Sequence, residues 1–164
     1  MYAIEMYEQT KADPYDKVFV VFDKDAHTTY DEALKKIEAL NEKRKYKDSF
    51  EAIVSVPCFE FWLLLHFECA MRPYASTGNK SICENVICDL KKYIPNYDKG
   101  NDDVFKLTCP NVDTAIANAK MIEKRQRNNA TDNPITMAYK LVEYLFKISE
   151  ANTSSPKKRH GNTG

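Results

Sequence analysis

Two aspartates, Asp23 and Asp25, directly follow an apolar stretch and are the residues of this chain best suited to chemistry. Alternate residues of an extended chain project to the same side, so the two carboxylates would lie close together. Paired hard oxygen ligands suit Mg²⁺ or Mn²⁺, which retain several of their waters. A solvated turn, with Asp25 helping to cap the helix that opens at Thr28, explains the same two residues. We interpret Asp23 and Asp25 as a candidate site for Mg²⁺ or Mn²⁺.

Glu60 is the second candidate because it is the only charged residue between Pro57 and Leu65. A buried carboxylate must reach water, a cation or hydrogen-bond donors. If the strand before it runs parallel to the strand before Asp23, Glu60 lies at the same edge of the sheet and could take part in catalysis. The alternative is an acid in the first turn of a helix, where the helix dipole favours it.

Two histidines require a choice between a chemical and a structural role. His27 is near the acidic pair in sequence and could act as an acid, a base or a phosphate contact; a polar loop residue before a helix is the alternative. His66 comes six residues after Glu60, about 240° round a helix, so it does not share the face of Glu60. We expect His66 to be a hydrogen-bonded interior residue.

The elements that position these residues form a β-α-β pattern. The run Lys17–Phe22 is apolar, β-branched and aromatic, which is typical of a strand buried on both faces. A helix with apolar residues at helical spacing opens at Thr28, and a second strand is predicted over Phe50–Val56. Such a unit places the carboxyl ends of parallel strands at one edge of the sheet, where ligands bind.

The rest of the chain is predicted to be mainly helical and to end in a disordered tail. Residues 1–14 form a separate N-terminal segment, and one domain covers residues 15–149. After the second strand, the expected elements are a buried helix from Cys58 to about Cys69, a helix from Ser81 to Tyr93, a short strand or irregular segment over Val104–Leu107, a helix capped by Asn111 or Asp113, a last helix that begins at Asn133-Pro134, and a tail over residues 150–164.

Composition restricts the class of protein. The 164 residues carry 24 basic and 24 acidic side chains, so there is no global attraction to nucleic acid or membrane. No apolar run is longer than Phe61–Leu65, which is too short to cross a bilayer, and the N-terminus has no signal-peptide pattern, so we expect a cytoplasmic protein. The five cysteines have apolar neighbours and no C-x-x-C spacing; we expect buried, reduced thiols and no zinc site.

Three segments resemble the RloB-like proteins. They are Val18-Phe19-Val20-Val21-Phe22-Asp23-Lys24-Asp25-Ala26-His27, Ser55-Val56-Pro57-Cys58-Phe59-Glu60-Phe61-Trp62-Leu63-Leu64-Leu65-His66-Phe67, and Asn133-Pro134-Ile135-Thr136 with Leu141-Val142-Glu143. The middle segment is long and unusual in composition, which makes it specific. The resemblance spans roughly residues 15–146 of this sequence.

The resemblance implies an α/β fold, namely a Rossmann-like, Toprim-type, partly parallel sheet flanked by helices with a helical C-terminal half. It also implies a place in bacterial and archaeal defence and restriction-modification islands, including abortive-infection systems. Toprim domains use a D-x-D pair on Mg²⁺ and an N-terminal Glu as general acid or base. By that pattern Asp23 and Asp25 hold the metal, and phosphodiester cleavage is the class of reaction.

The family pattern normally begins with a strand that carries this Glu, and residues 1–16 provide no match for it. We therefore expect a sheet edge that pairs with another copy or with a protein partner. Two hypotheses follow: a metal-dependent nuclease-like component of antiviral defence acting on DNA or tRNA, or a non-catalytic interaction module in a defence complex. Binding of a nucleotide or small molecule at the same edge is a third.

Overall fold

The computed structural model describes residues 2–9, 15–24 and 29–154. Asp25, His27 and Thr28, as well as most of the expected tail, lie outside the described residues. The strands are β1 (Val18–Asp23), β2 (Phe50–Val56) and β3 (Ile135–Thr136). The helices are α1 (Tyr2–Gln9), α2 (Tyr30–Asn41), α3 (Glu60–Leu64), α4 (Ile82–Leu90), α5 (Val104–Thr108), α6 (Val112–Asn128) and α7 (Ala138–Ser154), with 3-10 turns at Arg44–Tyr46 and Cys109–Asn111.

The sheet has the order β1-β2-β3, with β2 at its centre. β1 and β2 are parallel, and α2 connects them, so the predicted β-α-β unit is confirmed. β3 runs antiparallel to β2 and pairs with its last two residues. The α/β class, the partly parallel sheet and the helical C-terminal half are all confirmed.

The prediction that β1 is buried on both faces is wrong. None of its residues is fully buried, and Val21 is 55% exposed. Val18, Val20 and Phe22 pack against the cluster formed by α1, α2 and Phe50, which accounts for one face. The other face is only partly covered: Phe19 packs against Tyr144 of α7, whereas more than half of Val21 is exposed.

The main core lies outside the sheet, around α3. Phe61, Leu64 and Leu65 are fully buried, and they pack with apolar residues of α4, α6 and α7. The expected burial of this segment is therefore confirmed, although the helix is shorter than predicted and continues as turns to Phe67. Its regular part begins at Glu60 rather than at Cys58.

Two of the C-terminal elements differ from prediction. Val104–Thr108 is a short helix, not a strand. Ile135–Thr136 forms β3 instead of the first turn of the last helix, because its backbone satisfies the unpaired side of β2. The last helix accordingly begins at Ala138.

Helix capping follows the sequence more closely in α4. Ser81 accepts from the backbone N–H of Glu84, whose side chain accepts in turn from the backbone N–H of Ser81, which is a complete capping box. In α2 the residue before the first turn is Thr29, which makes no side-chain cap.

The expectation that all cysteines are buried is wrong. Cys58 is buried and Cys83 is half-buried, whereas Cys69, Cys88 and Cys109 are exposed; none of the five forms a disulfide. The exposed ones lie on helix faces or turns that the core does not cover. Among the described residues, no helix has both the length and the apolar character needed to cross a membrane.

Candidate functional site

A row of polar residues crosses the sheet at the carboxyl ends of its parallel strands. Asp23 of β1 lies opposite Ser55 of β2, and Ser55 lies opposite Thr136 of β3. The hydroxyls of Ser55 and Thr136 are 2.9 Å apart, and both side chains are buried. Residues in register share one face of a sheet, so Asp23 projects on the same side as these hydroxyls.

Asp132 joins this edge from the loop between α6 and β3. Its carboxylate is paired with the ammonium group of Lys24, the residue after Asp23. The backbone N–H of Lys24 donates to Ser55 O at 2.9 Å, which continues the β1–β2 ladder past Asp23. The hydrogen bond and the charge of Asp132 raise the pKa of Lys24, and its ammonium lies 5.3 Å from the ring centroid of Tyr30.

Sequence reasoning missed Asp132, which is 108 residues from Lys24 along the chain. Asp132 directly precedes Asn133-Pro134, a sequence that is typical of a turn and gives no sign of a functional role. Only the return of the chain as β3 brings it to the edge where β1 ends.

The donors at this edge fit a hard divalent cation in their chemistry. Asp23 and Asp132 supply carboxylate oxygens, and the neighbouring hydroxyls supply further oxygen. Within the described ranges, no group of three or more His, Cys, Asp or Glu side chains is assembled for a metal. Asp25 and His27, both predicted site residues, lie outside the described residues. The acidic pair and its metal thus stay a prediction, now with Asp132 beside it.

Glu60 lies in a second polar site, at the start of α3. Its side chain is only 5% exposed, its carboxylate is 3.2 Å from Lys99 Nζ, and the hydroxyl of Tyr97 donates to it at 3.3 Å. Burial raises the pKa of Glu60, but hydrogen bonds from its own backbone amide, from the Cys58 thiol and from Lys99 outweigh burial. The net pKa lies below the ordinary value, so the side chain is an anion at neutral pH.

Glu60 faces a cleft of about 320 Å³ whose polar wall comes from Tyr97, Lys99 and Asn101, and neither Asp23 nor Asp132 lines it. The sequence predicted that Glu60 follows the carboxyl end of β2 and that it lies in the first turn of a helix. Both positions are observed.

His66 is the interior residue that its position suggested. The residue is only 4% exposed, and Nδ1 lies 3.0 Å from Trp62 O and 3.2 Å from Leu63 O. Burial lowers the pKa of His66. His66 lines a different cleft from that of Glu60, although the two clefts share Phe59, Leu63 and Val104 as a common wall.

The fold and this edge define a class: an α/β domain with acidic residues at the carboxyl ends of parallel strands. The sequence matches the family of RloB-like proteins over residues 1–145. The chain therefore belongs to the RloB-like family, as the three sequence segments indicated. No curated protein and no solved structure matches it.

Proposed function

We propose that this chain is a metal-dependent, nuclease-like component of antiviral defence that acts on DNA or tRNA in the cytoplasm. The observation that supports the proposal most directly is the polar row Asp23–Ser55–Thr136, with Asp132 beside it, at the strand edge where α/β domains bind ligands. Membership of the RloB-like family supports the same reading.

In this proposal Asp23 and Asp25 hold Mg²⁺ or Mn²⁺, and Asp132 exchanges its partner Lys24 for the cation. A divalent cation bound here would supply Lewis-acid polarisation of a phosphoryl oxygen. Lys24, once released from Asp132, would contact the phosphate backbone. His27 and Glu60 are the proposed acid–base groups; Glu60 would serve a substrate that extends over α3 into its cleft.

Metal dependence is the first test. Mn²⁺ or Mg²⁺ should raise the melting temperature of the wild-type chain, and Asp23→Asn combined with Asp25→Asn should abolish the shift. Asp103→Asn is a matched control, since Asp103 is exposed and paired with Lys106 on a turn remote from the strands in sequence. Cleavage of labelled DNA and tRNA is measured with the same proteins. Absence of any metal effect on the wild type would exclude the enzymatic function for this chain.

The second candidate is a non-catalytic interaction module, and β1 favours it. Val18 donates its backbone N–H to Ser49 O, and Lys24 donates its own to Ser55 O. Even-numbered residues of β1 thus face β2, and because successive N–H groups of a strand point to opposite sides, Val21 directs its N–H away from β2. Within the described residues no strand pairs with that outer side. A second copy or a protein partner could add a strand there.

A further inference from the structure

The cleft at His66 contains a hydrogen-bond acceptor that the proposed nuclease function does not use. Both neighbours of Nδ1 are backbone carbonyl oxygens, which only accept. Nδ1 must therefore carry the proton, and Nε2 is an acceptor with a free lone pair. The lowered pKa agrees with a neutral ring. Throughout the described part of the chain, no side chain or backbone group donates to Nε2.

The surroundings of this acceptor are apolar and aromatic. The cleft has a volume of about 410 Å³ and lies between α3, α5 and α7. The ring of Trp62 meets the ring of His66 edge-on, with centroids 4.8 Å apart. Phe59, Phe105 and Phe146 form the outer part of the wall and are 42%, 73% and 44% exposed. The cleft is therefore open at its mouth, and the largely buried His66 contributes to its wall.

This combination is typical of a small-molecule site. Ligand sites are concave, mainly apolar, and carry a few polar groups that fix orientation; their volumes are roughly 300–1,000 Å³. A water on Nε2 would need further polar partners, and the aromatic walls offer few. A ligand donor that replaces such a poorly held water gains affinity.

We propose that this cleft binds a small aromatic molecule that carries one O–H or N–H donor, and that Nε2 of His66 accepts from it. The ring of the ligand packs among the aromatic walls, and the donor gives it a single orientation. Neither Asp23 nor Asp132 lines this cleft, so its occupancy does not require a metal at the strand edge.

Phenol is the probe, and anisole is the matched control because it has the same ring without a donor. Trp62 is the only tryptophan of the chain and lines the cleft, so its fluorescence reports binding directly. Phenol should quench or shift this emission at concentrations about fivefold lower than anisole, the ratio that one ordinary neutral hydrogen bond produces. Equal affinity for the two probes, or no response to either, would refute the proposal.

His66→Phe retains an aromatic ring and removes the acceptor. The preference for phenol over anisole should disappear in this variant, while anisole still binds. The wild-type protein provides a readout that does not depend on the variant folding: the ¹⁵N resonance of Nε2 should move toward the protonated range with phenol and stay in place with anisole. A phenol preference that survives in His66→Phe, or an unmoved Nε2 resonance, contradicts the assignment.

Discussion

The hydroxyl of Ser55 and the hydroxyl of Thr136 lie 2.9 Å apart in the interior and join the carboxyl end of β2 to β3. Thr136 also accepts from the backbone N–H of Ala138 at 3.2 Å. Its hydroxyl therefore forms hydrogen bonds both to β2 and to the first residue of α7. This pair supports the loop that holds Asp132, because β3 begins only three residues after it. The candidate edge therefore depends on a buried contact between distant parts of the chain.

Thr136→Val should destabilise the protein more than Thr136→Ser. The valine keeps the shape but leaves the Ser55 hydroxyl and the Ala138 N–H without their partner, at a cost of about 1–3 kcal/mol. The serine keeps the hydroxyl and loses one methyl group, at a cost of about 1 kcal/mol. Urea denaturation followed by circular dichroism measures both. A valine variant as stable as the serine variant would show that the hydrogen bond contributes nothing.

Lys24→Gln should strengthen Mn²⁺ binding, because it releases the carboxylate of Asp132 from its ion pair. Asp132→Asn should weaken binding if Asp132 contributes a ligand. Lys36→Gln is the control, since Lys36 forms an exposed ion pair with Glu32 on α2. Calorimetric titration with Mn²⁺ compares the variants with the wild type. Unchanged affinity in both variants at positions 24 and 132 would remove Asp132 from the proposed metal site.

The stability contribution of Glu60 should depend on pH in the acidic range. Its folded-state pKa lies below the ordinary value of 4.5, so the native state binds protons less readily than the unfolded chain. The contribution is therefore complete above about pH 4.5 and is lost as the pH falls through the folded-state pKa. The difference in unfolding free energy between wild type and Glu60→Gln should be constant near neutrality and shrink in acid.

Lys99→Met sharpens this test, since Lys99 forms an ion pair with Glu60 and its own side chain is 69% exposed. Without it the pKa of Glu60 should rise, and the loss of stability should begin at a higher pH. The expected cost at neutral pH is about 1 kcal/mol, because solvent screens an exposed cation. Urea titrations across the acidic range give the profile. A profile identical to that of the wild type would contradict a role for this ion pair.

Val21→Pro tests the interaction module. Proline removes the outward N–H of an edge strand and leaves the ladder with β2 intact, so the fold should persist with only a modest loss of stability. If a second copy pairs with β1, the variant should sediment as a monomer at concentrations where the wild type associates. Val21→Thr retains the N–H and serves as the control. Identical sedimentation of all three proteins would argue against pairing at this edge.

Local sequence patterns determined much of the fold of this protein. The apolar runs predicted β1 and β2, and the helical spacing of apolar residues in the segment between them predicted α2. These patterns can be read from the sequence because they depend only on the order of residues along the chain. The S-x-x-E spacing at Ser81 and Glu84 formed the capping box that such spacing favours. Asp23 was placed at the end of β1 from sequence alone, and so was the interior character of His66.

The tertiary structure decided what no local pattern contains. The exposure of Val21 depends on which elements pack over its face of the sheet, and strand order depends on long-range pairing. Ile135 and Thr136 have an apolar and β-branched character that fits a helix face or a strand, and the unpaired side of β2 selected the strand. Asp132 reached the edge only through that choice. Contacts between residues far apart in sequence are set by which backbone groups need partners and which surfaces fit together, so they emerged only with the folded chain.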